Sequence, residues 1–155
     1  MNNNEILVKE IDLTQACIKR IAQNSFIVKG WTISLVTVVF AFLPEKVNTT
    51  LLSFLGIIAT LCFWYLDAYF LRCERLYRWK YEWIIVSRQN NNSNFFDLDP
   101  YNKSMWLPDK KGNERSIPSI TRIMFTKTLT PIYGPLIVLP ISYLIYELAT
   151  NISAC

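Results

Sequence analysis

The segment VNTTLLSFLGIIATLCFWYL, residues 47–66, contains no Asp, Glu, Lys or Arg, and it decides the fold class. The hydrocarbon core of a bilayer is ~30 Å thick, and a helix needs about 20 mostly apolar residues to cross it. Residues 47–66 meet that length. They are apolar on every side of a helix, whereas a soluble amphipathic helix carries one apolar stripe. The segment therefore predicts a transmembrane helix.

Two further segments have the same character, TLTPIYGPLIVLPISYLIY at 128–146 and GWTISLVTVVFAFL at 30–43. The shorter one reaches spanning length when residues 26–28 are added and Lys29 extends its amine to the headgroups. These segments predict an all-α integral membrane protein with three transmembrane helices, an antiparallel hairpin plus a C-terminal span, and a small cytoplasmic α+β insert. The expected parts are a cytoplasmic amphipathic helix at 1–25, spans at 26–43, 51–71 and 128–147, a cytoplasmic helix extension at 72–89 and the insert at 90–123.

Composition and charge placement agree with a membrane protein and predict its orientation. Charged residues make up 18% of the chain, against about 25% in soluble domains. Eleven of the 16 Lys and Arg lie between Arg72 and Lys127, and only Lys46 lies in the 44–50 loop. Because cytoplasmic loops carry the excess of Lys and Arg, we expect the N-terminus and residues 67–127 to be cytoplasmic and Cys155 to be external.

The chain lacks the residues that most enzymes use. It has no histidine and only four glycines, which removes the commonest general base and metal ligand and leaves no phosphate-cradling loop. Asp97 and Asp99 in FFDLDP favour a turn with side-chain hydrogen bonds over a metal site. We therefore expect no enzymatic activity, no metal and no cofactor.

The residue pattern predicts the secondary structure of three regions outside the spans. Residues 77–86 fit a helix or a strand, because aromatic and polar residues alternate there, and the absence of Gly and Pro favours a helix. Residues 95–122 contain two short apolar runs that flank a polar turn at Gly112, a pattern typical of a small β-hairpin. The pattern at 5–25 predicts an amphipathic helix.

Small and hydroxylated residues recur at helical spacing in the first two spans. Such a stripe allows close helix packing in lipid, or it lines a hydrated pore. Packing is the simpler interpretation, and both remain open. The residues that define the stripes are Ser34 and Thr37, with Gly30 and Ala41, and Ser53 and Thr60, with Gly56.

Lys29 and Asp67 are the charges that border the hairpin. At ~1.5 Å rise per residue they lie at similar distances from the hairpin turn. A charge at that depth is usually paired or functional. We expect an ion pair between Lys29 and Asp67 that closes the base of the hairpin.

Two functional classes fit these features. In the first, copies of the chain form a homo-oligomeric channel or pore effector, and the insert binds a nucleotide or short single-stranded oligonucleotide, with basic residues on phosphates and aromatic faces on bases. In the second, the protein is a non-conducting membrane adaptor that docks a soluble partner. Membrane-surface binding or ordinary packing also explains the basic and aromatic residues of the insert. The ligand-binding candidates are Lys103, Lys110, Lys111, Arg115, Tyr101 and Trp106.

The stretches NSFIVKGWTISLVTVVFAF (24–42) and FWYLDAYFLRCERLYRWKY (63–81) resemble small bacterial transmembrane effectors of anti-phage defence. These include effectors that partner nucleotidyltransferases, such as the Hailong A-like channels. The resemblance covers the hairpin and the helix after it. It implies an oligomeric ion channel in the bacterial inner membrane that a nucleotide signal from a partner nucleotidyltransferase controls, with depolarisation on opening.

Overall fold

The computed structural model describes residues 3–42, 49–91 and 93–153 and is helical throughout its long elements. Helical residues make up 78% of the structure. The long helices are α1 (Asn3–Phe42), α2 (Thr49–Ser87) and α4 (Thr130–Ser153), and the short α3 is Ile120–Met124. Two single 3₁₀ turns, Arg88–Asn90 and Lys103–Met105, lie between α2 and α3. Most of the 44–50 loop, and Cys155, lie outside the described residues.

Among the described residues, three helices are long and apolar enough to cross a membrane, as predicted: α1, α2 and α4. The apolar part of α4 is mostly exposed, with Val138, Ile145 and Tyr146 each more than half accessible. Apolar surface of that extent is unfavourable in water and is covered when lipid surrounds the helix. The chain is therefore a membrane protein.

The sequence explains why these helices are long. Residues 45–99 contain no proline, so nothing interrupts α2, and residues 77–86 are helical rather than extended. Helix α4 contains Pro135 and Pro140. Proline removes a backbone donor and usually breaks a soluble helix, but membrane helices tolerate it where neighbouring groups satisfy the freed carbonyls.

The chain divides into two compact units. The first unit comprises Met1–Ser25 and Tyr69–Ser119, and the second comprises Phe26–Ala68 and Ile120–Cys155. Helices α1 and α2 contribute residues to both. Within the second unit, α1 and α2 are antiparallel, since Lys29 contacts Asp67 and Val39 lies against Gly56.

An apolar cluster lies within the first unit. It contains Trp83 and Ile84 of α2 and Met105 of the second 3₁₀ turn, with Leu7 and Ile11 of α1 packed against them. Leu76 of α2 is also fully buried in this unit. The first unit therefore has an apolar core of its own.

The β-hairpin predicted over 95–122 is wrong, because every one of these residues is described and none lies in a strand. Pro100, Pro108 and Pro118 each remove a ladder donor. Asp and Asn side chains also capture the backbone N–H two residues on, which turns the chain locally instead of extending it. These side chains and their donors are Asp97 with Asp99, Asp99 with Tyr101, Asn102 with Ser104 and Asp109 with Lys111.

Candidate functional site

A cleft of about 350 Å³ opens in the first unit, within the size range of about 300–1,000 Å³ that is usual for small-molecule pockets. It joins the second 3₁₀ turn to the loop before α3. Its lining mixes apolar, basic and acidic groups. The lining residues are Lys103, Ser104, Trp106, Leu107, Pro108, Glu114 and Arg115.

Two contacts fix the Trp106 side chain in this cleft. Its indole Nε1 donates to the carbonyl oxygen of Pro100 at 3.1 Å. Its ring packs edge-on against Trp79 of α2, with centroids 5.4 Å apart, a favourable geometry for aromatic pairs. The indole is therefore a fixed, half-buried platform in the cleft.

Arg115 supplies a guanidinium whose charge is partly neutralised. Nη2 donates to Glu82 Oε2 at 2.8 Å, and Cζ lies 5.2 Å from the centroid of the Trp79 ring. Nη1 is shielded from solvent and has no hydrogen-bond partner among the described residues. Arg115 therefore has unused donor capacity.

Lys103 and Glu114 give the cleft its exposed charges. The Lys103 side chain is exposed and forms no salt bridge with any residue in the described part of the chain. Glu114, also exposed, carries the opposite sign. The cleft can hold an anionic group at Lys103 and a flat ring against Trp106, and Glu114 adds a carboxylate to its lining.

The structure brings only three of the six predicted ligand residues together: Lys103, Trp106 and Arg115. Lys110 and Lys111 lie on an exposed turn in which Gly112 has φ +83°, and neither lines the cleft. The Tyr101 hydroxyl lies instead beside Arg72 and Cys73 of α2. The sequence could not separate these residues, because loop conformation decides which of them face one space.

A buried ion pair that sequence reasoning missed organises the first unit. Arg88 Nη2 donates to Glu10 Oε1 at 2.8 Å, and Arg88 Nε donates to Glu10 Oε2. Both side chains are almost completely buried. Glu10 follows Leu7 by three residues and precedes Thr14 by four, so its position on the apolar face of α1 was the available signal.

The same guanidinium holds the loop that follows α2. Arg88 donates to the carbonyl oxygens of Asn91, Ser93 and Asn94. Its Cζ lies 5.0 Å from the centroids of both the Trp83 ring and the Phe95 ring. Five hydrogen bonds and two aromatic faces make Arg88 the centre of this loop.

The loop is strained where it meets Glu10. Asn94 and Phe96 have φ of +56° and +54°, a region that costs a bulky side chain about 1–3 kcal/mol. The Phe96 N–H donates to Glu10 Oε1 at 2.7 Å and offsets part of that cost. The Phe95 and Phe96 side chains in this loop are 41% and 42% exposed.

Lys80 is a further buried charge in the first unit. Its Nζ lies 3.3 Å from Asp97 Oδ1 and donates to the carbonyl oxygen of Asp99 at 3.0 Å. Burial lowers the pKa of Lys80, and the nearby Asp97 carboxylate opposes that shift. The pKa of Asp97 is itself lowered, mainly by the hydrogen bond from the Asn102 amide, and further by the Asp99 N–H and the Lys80 charge.

The polar site of the second unit joins all three candidate spans. Lys29 Nζ of α1 lies 2.7 Å from Asp67 Oδ2 of α2, and Tyr133 of α4 donates its hydroxyl to the same oxygen at 3.0 Å. The sequence predicted the contact between Lys29 and Asp67, and Tyr133 is the member it missed. The Tyr133 ring also stacks on Trp64, with centroids 5.8 Å apart.

The two hydroxyl stripes differ in position. Ser53 and Thr60 of α2 are fully buried, and Thr60 donates to the Gly56 carbonyl at 2.8 Å. Ser34 and Thr37 of α1 are exposed. The α2 stripe is therefore a packing surface within the second unit, whereas the α1 stripe remains accessible.

Comparison of the chain with protein family models, with curated protein sequences and with solved structures gave no match.

Proposed function

We propose that this protein is a homo-oligomeric membrane channel effector that a small anionic ligand controls through the first unit. The cleft lined by Lys103, Trp106 and Arg115 is the single observation that favours this function most. It combines a cation, a fixed indole face and an arginine with unused donors, in a chain with three candidate spans. Ligands that offer a phosphate and a ring, such as a nucleotide or a short single-stranded oligonucleotide, match these groups.

The proposed orientation follows from the charge distribution. The N-terminus and residues 67–127 face the cytoplasm of a bacterial cell, and the C-terminus is external. A cytosolic signal, such as a product of a partner nucleotidyltransferase, then has direct access to the cleft. Opening of the channel would depolarise the membrane, which suits a role in defence against phage.

The exposed stripe of α1 is the part of the second unit best suited to line a pore. Three helices of one chain enclose little water, so a conducting path requires several copies, and closed rings are the usual arrangement. Ser34 and Thr37 would then face the axis and supply hydroxyls to hydrated ions. Helix α2 contains residues of both units and would carry the effect of ligand binding to the spans.

Ion flux in liposomes tests the ligand-controlled function. The purified full-length protein is reconstituted and ion flux is followed with adenosine monophosphate or a 5′-phosphorylated adenosine trinucleotide on the side of the first unit. Lys103→Gln should reduce the response to the probe through loss of a phosphate contact. Trp106→Leu should cost about 1–3 kcal/mol of binding through loss of stacking.

Lys110→Gln is the matched control, because Lys110 is an exposed lysine of the same loop region that does not line the cleft. It should leave the response unchanged. A correctly inserted oligomer that passes no ions, with or without these probes, would end the channel proposal. Flux that both lysine variants reduce equally would instead indicate a non-specific charge effect.

A non-conducting adaptor is the second candidate, and the loop at 93–98 favours it. Phe95 and Phe96 are two-fifths exposed on a strained backbone that Arg88 and Glu10 hold in place. Strain of this kind is typical of recognition sites, and aromatic anchors dominate protein interfaces. Phe96→Ser should abolish capture of a soluble partner if the adaptor function is correct, and should leave ion flux unchanged if the channel function is.

A further inference from the structure

A group of hydrogen-bond donors lies just beyond the apolar part of α2. Tyr69, Arg72 and Cys73 share one face of the helix, since they are three and four residues apart. Arg72 Cζ lies 5.6 Å from the centroid of the Tyr69 ring. The Tyr101 hydroxyl meets them from the loop, 3.5 Å from Arg72 Nη2 and 4.0 Å from Cys73 Sγ. All four residues belong to the first unit.

Arg72 differs from the other two arginines that pack on aromatic rings in this unit. Arg88 has the Glu10 carboxylate at 2.8 Å, and Arg115 has the Glu82 carboxylate at 2.8 Å. Arg72 forms no salt bridge with any residue that the structure describes, and its shielded Nε has no hydrogen-bond partner among them. A partly buried guanidinium with no carboxylate is an incomplete site, because burial of an unpaired charge is costly.

The position of Arg72 on α2 indicates what can complete it. Arg72 follows Leu66, the last residue of the apolar segment, by six positions, which corresponds to about 9 Å along a helix. Beyond the hydrocarbon core, the polar layer of a bilayer is roughly 5–8 Å thick on each side. A long side chain at this point reaches lipid headgroups, where phosphate is the main anion.

We propose that Arg72 and Tyr101 bind a phosphate group, which is the headgroup phosphate of an anionic phospholipid or a free phosphate anion. Nη1 and Nη2 of the guanidinium offer N–H donors to two phosphate oxygens. The Tyr101 hydroxyl donates to a third oxygen. The Tyr69 ring, whose centroid lies 5.6 Å from Arg72 Cζ, adds a cation–π contact to the guanidinium. This site is separate from the cleft at Trp106 and does not depend on a ligand there.

Lipid binding by the purified full-length protein tests the proposal. The protein in an uncharged detergent is titrated with phosphatidylglycerol, with diacylglycerol of the same chains and with inorganic phosphate. The thermal unfolding midpoint and the number of lipids retained in native mass spectrometry are measured. Phosphatidylglycerol should raise the midpoint and be retained, whereas diacylglycerol should do neither. Arg72→Gln should weaken retention by about tenfold or more, since a charge-assisted hydrogen bond is lost.

Arg75→Gln is the matched control, because Arg75 lies three residues further on α2 and, within the described residues, forms neither a salt bridge nor a contact with Tyr69 or Tyr101. It should bind phosphatidylglycerol as the wild type does. Tyr101→Phe keeps the ring and removes the hydroxyl, so it should weaken binding by a smaller factor. If Arg72→Gln does not fold, Tyr101→Phe tests the proposed phosphate site in its place.

The probe that raises the unfolding midpoint identifies the source of the phosphate. A midpoint shift with phosphatidylglycerol alone identifies a lipid site, and an equal, Arg72-dependent shift with inorganic phosphate identifies a site for the free anion. Equal binding by the wild type, Arg72→Gln and Tyr101→Phe would overturn the proposal. A response to diacylglycerol as large as that to phosphatidylglycerol would also overturn it.

Discussion

The Tyr133 hydroxyl donates a hydrogen bond of 3.0 Å to Asp67 Oδ2, across 66 positions of the chain. Asp67 also accepts from Lys29, so one carboxylate connects α1, α2 and α4. The Asp67 and Tyr133 side chains are completely buried. This contact fixes the third span against the hairpin.

Tyr133→Phe should therefore destabilise the second unit. Loss of a donor to a buried carboxylate costs about 1.5–3 kcal/mol in water-soluble proteins, whereas hydrogen bonds between membrane helices average about 0.6 kcal/mol. We expect about 1–2 kcal/mol, because the acceptor is charged. Unfolding in mixed detergent micelles measures the change. Tyr143→Phe on the same helix is the control, and an equal effect of both substitutions would contradict the assigned role.

Arg88→Met should release the loop at 93–98. It leaves Glu10 buried without its cation, at a cost of about 3–5 kcal/mol. We expect faster proteolysis of the loop and a lower unfolding midpoint. The combined variant Glu10→Leu with Arg88→Met should be more stable than Arg88→Met alone, because Glu10 is then no longer a buried charge without its cation.

The exposed pair of Arg78 and Glu74 provides the control for Arg88. Arg78 has a 61% exposed side chain and contacts Glu74 at 2.7 Å. Pairs of this type on a helix contribute about 0.3–0.5 kcal/mol. Arg78→Met should hardly change proteolysis, and a loss as large as that of Arg88→Met would argue against a special role for the buried pair.

Thr60→Leu should destabilise the protein, whereas Thr37→Leu should leave its stability unchanged. Thr60 is completely buried, so a larger side chain should overpack the interface at a cost of about 1–3 kcal/mol. Thr37 is exposed, so Thr37→Leu should fold normally. If the α1 stripe lines a pore, Thr37→Leu should reduce ion flux through assembled oligomers. Normal ion flux through that variant would show that Thr37 does not line the pore.

Acidification should destabilise the first unit through Asp97. Its folded-state pKa lies below the ordinary value of 3.8, chiefly because the Asn102 amide donates to the carboxylate. A lowered pKa of an acid contributes stability that is complete above the ordinary value and is lost as the pH falls through the folded-state value. The pKa of Asp109 is also lowered, because the backbone N–H groups of Asn113 and Lys111 stabilise its charged form.

Asp97→Asn should therefore lower stability at neutral pH and flatten the loss of stability in acid. Unfolding midpoints between pH 7 and about pH 2 measure both effects, because the stability is lost below the ordinary pKa. An unchanged acid slope would show that Asp97 does not carry the dependence.

Cysteine labelling should establish the orientation of the first unit. Cys73 is buried and reports poorly, whereas Lys111 lies on an exposed turn. In a cysteine-free background, Lys111→Cys should resist a membrane-impermeant maleimide in intact cells and react after lysis. Reaction in intact cells would reverse the proposed orientation.

The spans were predictable because hydropathy is a local property. An uninterrupted apolar segment of sufficient length, such as 47–66, needs no tertiary contact to identify it. The contact between Lys29 and Asp67 was also within reach, since a short connection places residues equidistant from it at one height. The conformation of residues 95–122 could not be predicted from the sequence. Alternating apolar residues also fit a loop whose Asp and Asn side chains bind its own backbone.

The sequence by itself determined the class of protein and the positions of its apolar helices. It also identified Lys29 and Asp67 as the charged residues that border the hairpin. Only the tertiary structure decided which charged groups are buried together. Glu10 and Arg88 are 78 positions apart, and no local pattern pairs them. Folding likewise decided that Lys103, Trp106 and Arg115 share one cleft while Lys110 and Lys111 do not. The physical reason is that burial and electrostatic pairing depend on contacts between distant segments, whereas helix formation and membrane insertion depend mainly on neighbouring residues.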